Sequence, residues 1–124
     1  MLTYTAYGLA IALNLMVLFI GARFLFVPQA AAAGYGVPAR TDGDRAYLTI
    51  KGVRDGTYGV LGLALLAFAG PTAEAWFMLV VALAPLGDTL IVLRNGGTKA
   101  VAFGIHFATA VAVLVSAVLL FAVS

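Results

Sequence analysis

Four apolar runs, each about the length of a membrane-crossing helix and each stopped by proline, glycine or charge, constrain this chain more than anything else in it. A helix needs about 20 mostly apolar residues to cross a hydrocarbon core. The runs cover roughly 5–27, 51–69, 73–93 and 99–123. Pro28 ends the first, because proline has no N–H to continue a helix. Gly70 and Pro71 end the second, and Asn95, Gly96 and Gly97 form a turn after the third. Short second and third connections force neighbouring helices to run antiparallel.

Composition says which solvent these helices meet. Hydrophobic residues make up 64% of the chain and charged residues 10%, against about 45–50% and about 25% in a soluble domain. With a mean hydropathy of +1.10, the lipid bilayer is the expected surrounding. The expected fold class is an all-α membrane protein, one domain over 1–124: a four-transmembrane-helix up-down bundle with a long first cytoplasmic connection. That connection runs from Pro28 to about Ile50, with Thr41 or Asp42 placed to cap the next helix. The first run is read as a retained span, since no basic residue precedes it and it is long for a signal sequence.

The basic residues read as an orientation signal. Arg23, Arg40, Arg45, Lys51 and Arg54 flank the first connection, and Arg94 and Lys99 the third. Cytoplasmic loops collect Lys and Arg, so both termini are expected on the non-cytoplasmic side. Seven such residues without a basic stripe do not suit nucleic acid. The absence of cysteine removes thiolate catalysis and Cys-based metal sites. No His pair or Glu-x-x-His spacing supports another metal site, and no cofactor is called for.

Ionisable groups within a bilayer cost about 2.5–3.5 kcal/mol each at its centre, so they persist when paired or functional. By helical rise, Arg54 and Asp55 lie about one turn into the second run, with Asp88 and His106 about two turns into the third and fourth. These four are the candidate catalytic residues. Lys51, Asp55, Tyr58 and Gly62 share one stripe of the second helix, and Pro85, three residues before Asp88, should kink the third. Arg23, Lys51, Tyr58 and Thr109 are candidate binding groups, and Asn14 is expected to hydrogen-bond between helices. Gly52, Gly56 and Gly59 form a small-residue face suited to close helix packing, or to a second copy of the chain.

The runs Lys51-Gly52-Val53-Arg54-Asp55-Gly56, Ala84-Pro85-Leu86-Gly87-Asp88 and Gly104-Ile105-His106, with Thr109-Ala110 following, resemble domain of unknown function 4267, a family of small four-helix membrane proteins. The resemblance spans Arg23 to the end of the fourth run. It implies the fold and which positions matter, and it assigns no reaction.

Two function classes follow. One is an acid–base enzyme of isomerase, cyclase or hydratase type acting on a lipophilic small molecule. In it His106 and Asp88 exchange protons with the substrate, Asp55 orients the histidine and Arg54 stabilises negative charge. The other is a proton- or ion-coupled transporter working as a dimer. The crowding of polar groups toward one side weighs against it, with only Asn14 and Ser116 in the far half. A structural accessory subunit is a third reading.

Overall fold

A computed structural model describes all 124 residues, and every regular element in it is helical. The order is α1 (Leu2–Phe26), α2 (Pro28–Tyr35), α3 (Arg45–Ala64), α4 (Pro71–Val81), α5 (Leu83–Arg94), α6 (Lys99–Val101) and α7 (Ala108–Ala122). A π-helical turn, Leu65–Ala69, extends α3, and a second, Ala102–Phe107, joins α6 to α7. Three stretches are long and apolar enough to cross a membrane: Leu2–Phe26, Pro71–Arg94 and Lys99–Ala122. The rod of α3 and its π turn falls outside that set, because Arg45, Lys51, Arg54 and Asp55 all fall in its first half.

Local chemistry explains the punctuation. Pro28 does stop α1, yet it also opens α2, where its fixed φ suits the first helical position. The first connection is therefore shorter than the sequence suggested, with only residues 36–44 outside helices. Neither Thr41 nor Asp42 caps α3. Asp44 stands at the cap position, and its Oδ2 accepts from the Arg40 backbone N–H at 2.6 Å. Pro85 cannot donate to the Val81 carbonyl, and the hydrogen-bond ladder loosens there, at Ala82 between α4 and α5. Ala82 itself keeps helical dihedrals, so Pro71–Arg94 continues as one rod through the proline. Gly70 ends the α3 rod at φ 96°, a conformation open to glycine and strained for other residues.

Packing is closest between α1 and α3. A Cβ added to Gly52 would lie 2.8 Å from the Gly21 carbonyl oxygen, and one on Gly59 2.7 Å from the Asn14 carbonyl oxygen. Both are below any normal contact, so the two backbones touch where side chains are missing. The glycine face of α3 is therefore filled by α1 of the same chain. This is the close helix packing that the small-residue face suggested, with Gly52 and Gly59 buried. The main apolar cluster joins α1, α4 and α7 through Ala6, Ala10, Ala75, Met78, Ala117 and Leu120. Outward-facing residues are large and apolar, with Phe19 64%, Leu83 69% and Val118 67% exposed, which suits a hydrocarbon surrounding.

Candidate functional site

Between these helices lies a cavity of about 400 Å³ with a mostly apolar wall. At one end of it four elements bring ionisable groups together. α3 contributes Lys51 and Asp55 one turn apart, and the ammonium sits 2.7 Å from Asp55 Oδ2. α5 contributes Asp88, and the π turn before α7 contributes His106, which is 3% exposed. Such wide turns are frequent where a helix must aim a functional side chain.

The residue that binds this end together is Tyr35, the last of α2. Its hydroxyl donates to Asp88 Oδ2. Its backbone carbonyl is 2.7 Å from His106 Nε2. A carbonyl can only accept, so neutral His106 carries its proton on Nε2 and keeps the Nδ1 lone pair free. The Tyr35 ring lies 4.3 Å from the His106 ring and meets Phe24 edge-on at 5.6 Å. Lys51 Nζ lies 4.3 Å from the Tyr35 ring centroid and 4.7 Å from that of Phe24, within cation–π range. Burial raises the Tyr35 phenol well above its ordinary value, and the Asp88 carboxylate adds to the shift, so the hydroxyl keeps its proton. Gly36 follows at φ 102°, turning the chain away directly after the tyrosine.

At the other end of the cavity stands Asn14, buried on α1. It does bond between helices: Nδ2 donates to Glu74 Oε1 of α4 at 2.7 Å. Glu74 is fully buried, and its Oε2 has no partner; nor does Ser116 Oγ on α7. Gly62 makes room for the Asn14 amide, since a Cβ there would fall on Asn14 Oδ1.

Among the residues singled out from sequence, Asp88, His106, Asp55, Lys51, Tyr58, Thr109, Arg23 and Asn14 all line this cavity. Arg54 does not: it is exposed at the edge of that stripe of α3, does not line the cavity and pairs with no carboxylate. Asp55 is held by Lys51, and Tyr35, not Asp55, orients His106. Thr109 spends its hydroxyl proton on the Ile105 carbonyl at 2.7 Å, leaving only acceptor capacity. The reading of single spans missed Tyr35 and Glu74. A tyrosine between glycines just past a span passes for an interfacial aromatic anchor. Glu74, three residues after Pro71, passes for a first-turn acid favoured by the helix dipole.

A smaller cavity of about 300 Å³ lies against the 36–44 link and shares Phe24, Tyr35, Lys51 and Asp88 with the first. No curated protein and no solved structure matches the chain. A family model does, from residue 14 to residue 120, a stretch that begins at Asn14 and takes in the whole ionisable cluster. The chain belongs to the family described as Domain of unknown function (DUF4267).

Proposed function

We propose that this chain binds a lipophilic small molecule in the larger cavity and performs acid–base chemistry on it, of isomerase, cyclase or hydratase type. The observation that carries the reading is one space holding both an extended apolar wall and Lys51, Asp55, Asp88 and His106 at one end. Pockets that are largely apolar, with a few convergent polar groups, are the usual form of small-molecule sites. Half-exposed lining residues within the helices, Met16, Tyr58 and Ile105, support entry from the side, as a lipid-dissolved substrate requires.

In this reading His106 Nδ1 takes a proton from the substrate or returns one to it. Asp88 and the Tyr35 hydroxyl manage the proton at a second position, and Lys51 faces negative charge that develops between them. The α3 rod counts as a fourth span whose charged first half borders the cytoplasm, and both termini lie on the opposite side. The test is a comparison of lipid extracts from cells expressing wild type, Asp88→Asn or His106→Ala. Accumulation of one lipophile with loss of another, in both variants, is the expected result. Unchanged extracts would sink the enzyme reading.

A second reading, a proton-coupled transporter, is favoured by one observation: the buried Asn14–Glu74 pair puts polar groups in the half that otherwise held little. Proteoliposomes with a pH-sensitive dye inside separate the two. Proton flux abolished by Glu74→Gln supports transport; none in wild type excludes it.

A further inference from the structure

The cavity has a polar group at each end and an apolar wall between. Nine positions of α1 separate Asn14 from Arg23, which is about 14 Å at helical rise, and both residues line the same space. Leu13, Val17, Ile20, Val81 and Pro85 supply the wall along that length. Asn14 makes a single side-chain hydrogen bond, to Glu74, and with its Oδ1 packed on Gly62 its second N–H is left for a guest. Keeping a carboxyl fully buried among apolar residues is costly, and this one bonds to nothing except Asn14. Its effect is to hold the amide in one orientation.

Resting on the lipophile-binding reading, we infer that the ligand is an elongated amphipath about 14 Å long with a polar group at both ends. One end meets the Lys51, Asp88 and His106 cluster. The other, a hydroxyl or carbonyl, hydrogen-bonds to Asn14. Asn14 is the specificity-determining residue for the second polar group, and Glu74 is its positioning residue.

The probes are straight-chain α,ω-alkanediols and 1-alkanols of equal length, measured by equilibrium binding to the chain in nanodiscs and corrected for empty discs. The diol should bind about 2- to 10-fold tighter than the alkanol, the worth of one net hydrogen bond, and the advantage should peak at one chain length. Asn14→Leu, close in shape, should abolish the advantage while both alcohols still bind. Glu74→Leu should do the same, and Glu74→Gln, which still accepts from Asn14, should keep it. Equal binding of diol and alcohol at every length overturns the two-ended ligand and leaves the lipophile reading intact. Saturable binding of neither overturns that reading as well. The wild-type length series decides the matter even where a variant fails to fold.

Discussion

Tyr35 reaches three of the four groups around it through different atoms: hydroxyl to Asp88, ring to Lys51 and carbonyl to His106. Replacing it with phenylalanine removes only the first. Asp88 then loses its donor while His106 keeps its orientation, so Tyr35→Phe should cost about 1–3 kcal/mol of stability. Circular dichroism of chemical unfolding in micelles measures that cost. The phenol's shift also has a pH signature. Its pKa is raised in the folded chain, so its contribution is complete below the ordinary value of about 10 and is lost as pH climbs beyond it. Wild type should therefore lose more stability than Tyr35→Phe when the unfolding series is repeated above about pH 10; equal losses would refute the shift. His106→Ala should lower turnover about 10²- to 10⁴-fold once a substrate is in hand, with binding largely kept. His106 and Asp88 were legible in the sequence because an ionisable residue deep in an apolar run is unusual in itself. Tyr35 was not, since its role comes from where α2 folds back, and no local spacing records that.

At the scale of the element, the glycines of α3 carry a prediction with an internal control. Gly52→Ala and Gly59→Ala push a methyl group into the α1 backbone and should each cost about 1–3 kcal/mol, the usual penalty of overpacking. Gly8 and Gly87 face open space, so alanine there should be neutral or stabilise by about 0.5–1 kcal/mol. Unfolding midpoints for the four variants in one detergent decide it, and equal effects across the set would contradict the α1–α3 contact. The helix ends at Pro28, Gly70 and Asn95 were readable because each has a local cause. The loosened turn at Ala82 was readable too, because Pro85 removes the N–H that would reach Val81. The start of α3 at Arg45 was readable to within a few residues from the capping candidates before it, although Asp44 takes the cap position in place of Thr41 or Asp42.

For the whole molecule, the lack of any native cysteine makes orientation easy to probe. Single cysteines at Thr3, Thr41, Thr72 and Ser124 should divide into two classes toward a membrane-impermeant thiol reagent applied to intact cells. Thr3, Thr72 and Ser124 are expected to label from outside and Thr41 only after permeabilisation. Labelling of Thr3 and Thr72 from opposite sides would leave α3 as a surface helix and reduce the count to three spans. The overall class, helical and membrane-embedded, followed from composition and run length. The association of α1 with α3 did not, because many faces of an apolar helix look alike until their neighbours are known.

The contact between α1 and α3 has one more effect. Gly21 lies about one turn from Phe24, and Gly52 directly follows Lys51, so the closeness of those backbones fixes how far the ammonium stands from the two aromatic rings. A single added carbon atom would pry the helices apart and lift Lys51 off its rings, though it touches neither. The dimensions of the ionic end are thus set by hydrogen atoms standing where other residues carry carbon, and a change at a position with no chemistry of its own would be felt there first.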